Sequence, residues 1–296
     1  MNRNKGVLVF ARNNSQIDYI KQARFVAERA KRHLNLPTTV VTDSVSFLKT
    51  QYPDWQDVFD QVIGLEKNSK DTDNDSASCT QELISHKKFW DGSLVNKQLE
   101  WKNQSRALAY DLSPYDETLV LDTDIIISNS EWTKCFEQTD DLLLYRNCIE
   151  LPDIDRGDDL KRISDTSVDF FWATVIFFRK TQENKIFFNL VQHIQENWQH
   201  YNNIFQINSS YFRNDYAFSI AIHIMNGYQS GDFVKSPSGT LYFSSDKCVL
   251  WEIKDDSVLV LLEKPLHTGE YTPIRLENSN FHFMNKFSLN RCINEL

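Results

Sequence analysis

Cysteine is scarce in this 296-residue sequence, and its spacing shows no pairing pattern. A disulfide framework normally appears as an even number of cysteines at regular spacing, and many zinc and redox sites appear as C-x-x-C. Neither pattern is present, which argues against a disulfide-built secreted fold and fits a reducing compartment. We expect ordinary thiols at all five positions: Cys79, Cys135, Cys148, Cys248 and Cys292.

Long apolar runs are also missing. The first apolar run, residues 7–11, is too short for the h-region of a signal peptide. No later run approaches the roughly 18 residues that cross a bilayer. We therefore expect a cytoplasmic protein without a membrane partner.

Positive charge is in deficit, with 32 Lys and Arg against 41 Asp and Glu and a formal net charge of −9. This balance disfavours non-specific attraction to nucleic acid or to an anionic membrane, although a local basic groove can override it. The sequence has no internal repeat. Large apolar side chains are plentiful, with 20 Phe, 11 Tyr and 7 Trp. Such a chain can build a substantial folded core.

Hydrophobic patterning predicts an α/β fold with a Rossmann-like, mostly parallel central sheet flanked by helices. Residues 6–11 form a continuous apolar run that is typical of a buried parallel strand. Apolar residues then recur at spacings of three and four over 15–34, which predicts a helix with Ser15 near its start, and residues 38–42 predict the second strand. Further strands are expected at 61–65, 118–121, 142–145, 173–178 and 257–262, and further helices at 93–112, 185–200 and 214–226, the last closed by Gly227.

Two polar stretches interrupt this pattern, at residues 66–80 and 150–167. We expect the first to be a mobile loop and the second a flexible loop beside the active site. The whole chain, 1–296, is expected to be one domain with two halves, 1–127 and 128–296.

Asp122-Thr123-Asp124 is the sharpest chemical feature of the sequence, because it directly follows the most apolar strand of the first half. Ligands of open α/β sheets bind at the carboxyl ends of strands. Two carboxylates one residue apart in a turn can converge on a hard cation such as Mg²⁺ or Mn²⁺. The alternative is a solvated turn. If the pair binds a metal, Asp124 is still a loop carboxylate that we expect to contribute little to the core.

The stretch from Asn103 to Asp124, with an arginine-bearing segment before "ETLVLDTD", resembles the Asp-x-Asp region of GT-A glycosyltransferases. It is most similar to the glycogenin and lipopolysaccharide-galactosyltransferase group and to phage-encoded members. The resemblance implies a GT-A fold with a smaller C-terminal acceptor-side region, in which 1–127 form the nucleotide-binding half and 128–296 the acceptor-side half. The activity that it implies is a metal-dependent transfer of sugar from a nucleoside-diphosphate sugar to a hydroxyl, with UDP favoured. It also implies that Asp122 and Asp124 bind the metal, with Thr123 between them at the donor.

The resemblance also implies roles for the preceding strand ends. Arg106 would reach the donor's ribose, sugar or phosphates, whereas without the resemblance a surface arginine on a helix flank is the favoured interpretation. The nucleobase and ribose pocket would be formed by Ala11, Arg12, Asn13 and Asp43. Asp43 is also a common type of turn residue.

The second half departs from the family pattern. The family's "HFxGxxKPW" string corresponds to "HFMNK", so His282 would be the third metal ligand and Lys286 a diphosphate contact, while Met284 replaces glycine and Pro-Trp is missing. Alternatively, His282 is a core histidine. Asp215 or Asp169 would lie near the reaction centre as a base, and Asp215 is alternatively a helix N-cap. Thr174 stands where the family has glycine, so the sugar is left open.

Two other functions remain open from the sequence. A haloacid-dehalogenase-type phosphotransferase would use Asp122 as a covalent nucleophile, although that motif normally lies on the first strand. A nucleotide-sugar-binding domain without turnover is the other. The acceptor is a hydroxyl of unknown origin, on a glycan or on a modified DNA base, and retention is favoured over inversion only by the resemblance.

Overall fold

The computed structural model describes residues 4–14, 16–65, 80–88, 94–102, 104–151, 160–164, 168–207, 209, 212–263 and 270–295. The loop predicted over 66–80 lies outside the described residues except for Thr80. The same holds for 152–159 and 165–167 of the loop predicted over 150–167, and for Ser15.

Helices and strands alternate in the first half of the chain, and strands dominate near its end. The longest helix has 16 residues, and no helix in the described ranges is long and apolar enough to cross a bilayer. The helices are α1 (Tyr19–Leu34), α2 (Val45–Gln51), α3 (Trp55–Val58), α4 (Ala109–Leu112), α5 (Gln182–Glu196), α6 (Trp198–Ile204), α7 (Asn214–Met225) and α8 (Lys286–Glu295). The strands are β1 (Lys5–Phe10), β2 (Thr38–Thr42), β3 (Gln61–Gly64), β4 (Thr80–Lys88), β5 (Leu94–Lys102), β6 (Glu117–Leu121), β7 (Ile125–Ile126), β8 (Leu142–Tyr145), β9 (Ile149–Leu151), β10 (Trp172–Arg179), β11 (Tyr242–Ser244), β12 (Val249–Lys254), β13 (Ser257–Glu263), β14 (Tyr271–Glu277) and β15 (Phe281–Phe283).

The central sheet has six strands in the order β3-β2-β1-β6-β10-β8. The first four are parallel to one another, and β10 runs antiparallel to both of its neighbours. The strand order reverses direction between β1 and β6, which is where open α/β sheets form a crevice. Val9 pairs with Leu121, so Ala11 and Asp122 follow adjacent strands at the same edge. The predicted mostly parallel α/β fold is confirmed.

A second sheet, in the order β7-β15-β11-β9, brings the late part of the chain to that edge. Its strand β15 pairs antiparallel with β7, which immediately follows the two aspartates. The three-stranded sheet β12-β13-β14 packs with α8 and α1 around a smaller apolar cluster that includes Phe25, Leu250 and Phe283. The larger core contains residues from both halves of the chain, from Val7 to Phe243.

The main disagreement with the sequence prediction is the helix expected over 93–112. The structure has β5 there, paired antiparallel with β4, followed by a 3-10 helix (Gln104–Leu108) and the short α4. Pairing with β4 is a tertiary contact that helical spacing within one segment does not register. The helix predicted over 185–200 is likewise divided into α5 and α6 at Asn197.

Helix α1 begins later than expected from Ser15. Asp18 is its N-cap and accepts a hydrogen bond from the Lys21 amide, and the Asn13 side chain accepts one from the Ile20 amide at 3.0 Å. These two side chains satisfy amides that have no partner within a helix. The loop after β1 is therefore fixed against the start of α1.

Gly6 is required by a close approach of the Tyr115 ring. A Cβ atom at residue 6 would lie 2.3–2.5 Å from three ring carbons. The Tyr115 hydroxyl is hydrogen-bonded to Thr39 Oγ1 at 2.8 Å, which holds the ring in place. We expect Gly6→Ala to lower the free energy of unfolding by about 1–3 kcal/mol, measured by urea denaturation.

Gly64→Ala on β3 is the matched control, because its added Cβ would meet only a Val45 methyl group, at 3.2 Å. We expect a change within about 0.5 kcal/mol for this variant. Equal losses for both variants would contradict the proposed clash with Tyr115.

Candidate functional site

The turn after β6 places two aspartates beside a histidine from the end of the chain. Strand β15 pairs with β7 so that His282 lies opposite Ile125, and the Phe283 amide donates to the Asp124 carbonyl at 2.9 Å. Asp124 Oδ2 is 3.3 Å from His282 Nε2. The strand pairing thus brings together residues that are far apart in the sequence.

One potential ligand atom from each of Asp122, Asp124 and His282 lies within 4.8 Å of the others. Asp124 and His282 are only 2% and 6% exposed, so neither is a solvated surface group. Two carboxylates and one imidazole make a donor set that suits Mn²⁺ and tolerates Mg²⁺. The chemistry and spacing of these three side chains fit a divalent cation.

Lys286, in the first turn of α8, donates to Asp124 Oδ2 at 2.6 Å. Burial acts to raise the pKa of the Asp124 carboxyl, but the charges of Lys286 and His282 and their hydrogen bonds outweigh it and hold that pKa well below its usual value. Burial acts to lower the pKa of Lys286, but the Asp124 carboxylate raises it overall. Each group keeps the other ionised, so the site holds a buried carboxylate with an ammonium beside it.

Arg106 joins Asp122 to the central sheet. One guanidinium nitrogen donates to Asp122 Oδ1 and the other to the Ala173 carbonyl at 2.6 Å. Burial lowers the pKa of Arg106, and Asp215 and Asp124 oppose this effect. With 13% of its side chain exposed, Arg106 is therefore a partly buried cation of the site and not a surface arginine.

Asp215 is connected to the same arginine through the backbone of β10. Its Oδ1 accepts from the Ala173 amide at 2.9 Å, and its Oδ2 accepts from Arg213 at 2.8 Å. The N-cap of α7 is Arg213, so Asp215 is not the N-cap residue that the sequence also allowed. The carboxylate instead faces the strand that carries Ala173 and Thr174.

Arg12 and Asp43 follow β1 and β2 and form an ion pair of 3.4 Å. Arg12 also lies 3.4 Å from the hydroxyl of Ser105, the residue before Arg106. The 3-10 helix therefore connects Arg12 and Asp43, which are predicted to bind the ribose, with Asp122, because Ser105 contacts Arg12 and Arg106 contacts Asp122. Both side chains are only partly exposed.

Three other predicted site residues make contacts within the protein. Ala11 is fully buried and donates its amide to Val41. The Asn13 side chain donates from Nδ2 to Asp18 Oδ1, and its Oδ1 accepts from the Ile20 amide. The Thr123 hydroxyl donates to Gln22 Oε1 at 3.2 Å. Their roles in donor binding stay predictions.

Asp169 pairs with Arg146 at 2.6 Å, and its backbone forms an isolated β-bridge with Arg162. These contacts connect it to the region after β8 and not to the two aspartates of the turn. Its role near the reaction centre stays a prediction.

The sequence pattern did not single out three residues that the structure places at the site. Tyr19 and Gln22 come from α1, and Trp172 packs edge-on against the His282 ring with 6.4 Å between centroids. Burial raises the pKa of Tyr19, with smaller opposed effects of Lys286 and Asp124. In the sequence, the signal that could have indicated one of these residues is the polar Gln22 among the apolar positions of α1.

Comparison with known proteins gives structural matches only: no protein-family model matches the sequence, and no curated protein matches it significantly. The galactosyltransferase LgtC, solved with donor and acceptor sugar analogues, is 10% identical with a TM-score of 0.48, over 98% of this chain and 96% of that one. The glycosyltransferase GlyE of Streptococcus pneumoniae TIGR4 is 15% identical with a TM-score of 0.43, over 79% of this chain and 45% of that one. This chain thus spans less than half the length of GlyE.

The mannosyltransferase PcManGT of Pyrobaculum calidifontis, solved with GDP-Man and Mn²⁺, is 10% identical with a TM-score of 0.36, over 79% of this chain and 56% of that one. The narrower grouping with glycogenin and phage-encoded members stays a prediction. These three solved structures are all glycosyltransferases.

Proposed function

We propose that this protein is a metal-dependent glycosyltransferase that moves a sugar from a nucleoside-diphosphate sugar, with UDP favoured, to a hydroxyl acceptor. The observation that supports this most is the cluster of Asp122, Asp124 and His282 within 4.8 Å at the carboxyl end of β6. Two partly buried cations contact it, Arg106 at Asp122 and Lys286 at Asp124. This combination suits a diphosphate and a divalent cation bound together.

Asp122, Asp124 and His282 would hold Mn²⁺ or Mg²⁺. When bound, the cation supplies positive charge that stabilises the departing nucleoside diphosphate. Lys286, whose ammonium lies 2.6 Å from Asp124, would also donate a hydrogen bond to a diphosphate oxygen. Its charge is fixed before the reaction, so little reorganisation is needed as negative charge develops on the leaving group.

Arg106, Arg12 and Asp43 would form the nucleotide side of the site. The Arg12 to Asp43 pair orients a carboxylate that can accept from ribose hydroxyls or a base N–H. Arg106 fixes Asp122 while keeping contact with the Ala173 carbonyl. Its guanidinium is also a second positive charge for the donor phosphates.

Asp215 and Asp169 would lie on the acceptor side. Asp215 is oriented by Arg213 and by the Ala173 amide, which fixes its carboxylate relative to β10. An inverting enzyme would use one of these carboxylates as a base opposite the leaving group. A retaining enzyme, favoured by the resemblance, would instead rely on same-face attack assisted by the diphosphate.

The acceptor remains either a glycan hydroxyl or the hydroxymethyl group of a modified DNA base. The net charge of −9 weighs against DNA. A phosphotransferase using Asp122 as nucleophile and a binding domain without turnover are the alternatives. Covalent trapping of phosphorylated Asp122 would favour the first of these.

A thermal-denaturation panel of UDP-, GDP-, ADP-, CMP- and dTDP-sugars, each with Mn²⁺ and with EDTA, tests the proposal. We expect one nucleotide class to stabilise the protein only when metal is present. At about 100 times its dissociation constant, such a ligand adds about 2.7 kcal/mol of stability.

The outcomes of this panel separate the candidate functions. Metal-dependent stabilisation followed by release of nucleoside diphosphate supports the transferase. Stabilisation without release, across glycan and hydroxymethylated DNA acceptors, supports a binding domain. No response to any donor, with or without metal, contradicts the proposed donor site.

A further inference from the structure

Gln22 is a fully buried polar side chain in the first turn of α1, at 0% exposure. The neighbouring buried positions of α1 are mainly apolar, among them Ile20, Ala23 and Val26. An amide in such a position costs free energy unless all of its groups are hydrogen-bonded. A leucine or methionine would occupy this position without that requirement, so the contacts of Gln22 are its distinguishing property.

Those contacts join two parts of the proposed site. Gln22 Oε1 accepts from the hydroxyl of Thr123, the central residue of the carboxylate turn, at 3.2 Å. Gln22 Nε2 donates to Asn290 Oδ1 at 2.8 Å and to the Lys286 carbonyl at 3.3 Å. Lys286 and Asn290 are one helical turn apart and therefore lie on the same face of α8.

Lys286 and Asp124 complete a closed loop of contacts. The Lys286 ammonium reaches Asp124, the residue after Thr123, while its carbonyl is held by Gln22. Tyr19, one turn before Gln22 on α1, lies in the electrostatic field of both Lys286 and Asp124. The separation between the aspartates and the lysine is thus fixed from two sides.

We propose that Gln22 is a positioning residue, which sets the carboxylate turn and the lysine-bearing end of α8 at the separation that a cation and a diphosphate require. This inference rests on the proposed function, and Gln22 acts through Thr123 and α8 without contacting the donor. We call the hydrogen bonds from Gln22 to Thr123 and to α8 the Gln22 bridge. Loss of either half of this bridge lets the aspartates of the turn and Lys286 move apart. Affinity for metal and nucleotide then falls even though every ligand side chain is still present.

Gln22→Met and Thr123→Val test the two ends of the bridge, because each removes hydrogen bonds and nearly conserves volume. We expect each variant to weaken Mn²⁺-dependent binding of the preferred nucleotide about tenfold, measured by calorimetry. The double variant is expected to be no weaker than the weaker single variant, because both changes break the same connection.

Ser288→Ala is the matched control. Ser288 is a buried hydroxyl on α8 that accepts from the Leu250 amide at 3.2 Å, and it makes no contact with Gln22. This variant loosens α8 against β12, so its melting temperature falls while nucleotide affinity is expected to stay unchanged. A fall in affinity equal to that of Gln22→Met would show that α8 packing in general, and not the bridge, sets the site.

Hydrogen exchange in the metal-free protein separates this inference from the proposed function. We expect faster exchange over residues 122–126 in Gln22→Met and Thr123→Val, and no change there in Ser288→Ala. Unchanged exchange in both variants, or fully additive losses of affinity, overturns the positioning role. If the parent protein binds neither metal nor nucleotide, the proposed function fails, and the exchange data still decide whether the bridge orders the turn.

Discussion

Replacing Asp124 by asparagine is expected to abolish metal-dependent donor binding and to lower transferase activity on the order of 10³-fold. The substitution keeps the shape of the side chain but removes the charge that faces both His282 and Lys286. Calorimetry of Mn²⁺ and donor binding, together with initial rates at the donor concentration that saturates the parent protein, would measure the two effects.

The same variant is expected to lose stability in the absence of metal. Breaking a buried ion pair by removing one partner costs roughly 3–5 kcal/mol, and Lys286 retains some exposure, which reduces this cost. Asparagine is preferable to alanine, because alanine would also leave a cavity. The midpoint of urea unfolding should therefore move to a lower urea concentration, while the protein remains folded in buffer.

Asp256→Asn is a matched control for Asp124→Asn. Asp256 is also a carboxylate between a histidine and an arginine, 3.0 Å from His33 and 3.6 Å from Arg29, in the turn between β12 and β13. Its loss is expected to affect stability and not metal binding. Full Mn²⁺ binding by Asp124→Asn would contradict the proposed metal centre.

The fold and the position of the aspartates could be predicted because both depend on short-range patterns. Continuous apolar runs such as residues 7–11 and 119–121 are typical of strands in a buried parallel sheet. Polar residues follow both runs, at the carboxyl ends of the strands, where ligands bind. Strand β2 has the predicted bounds, 38–42. The β-α-β order then makes a mostly parallel sheet the expected arrangement.

The remaining contacts could not be predicted, because they join segments that are distant in the sequence. From sequence, Asp124 was expected to contribute little to the core, yet it is 2% exposed once β15 and α8 pack against its turn. The bridge made by Gln22 requires α1 and α8 to lie together, a fact that no local spacing encodes. Strand β5 differs from these cases, because its partner β4 is close in the sequence, yet helical spacing within 93–112 does not register that pairing.

Replacing Lys286 by methionine is expected to separate metal affinity from catalysis. In the metal-free protein the ammonium of Lys286 donates to Asp124 Oδ2, so it competes with a cation for the Asp124 carboxylate. Removing it eliminates that competition, so Mn²⁺ affinity in the absence of nucleotide should rise about tenfold. Turnover should fall about 10²–10³-fold, because the fixed positive charge at the leaving diphosphate is gone.

Calorimetric titration of Mn²⁺ with and without the nucleotide, together with rates at saturating metal and donor, would measure this separation. Lys180→Met is the control, since Lys180 donates to the Ser113 carbonyl at 2.7 Å and not to a carboxylate of the site. A parallel fall in Mn²⁺ affinity and turnover in Lys286→Met would mean that Lys286 serves mainly to hold Asp124 in place. A rise in metal affinity with loss of turnover would assign the lysine to the diphosphate, because only a group that competes with the cation at rest and assists the leaving group during transfer produces both changes.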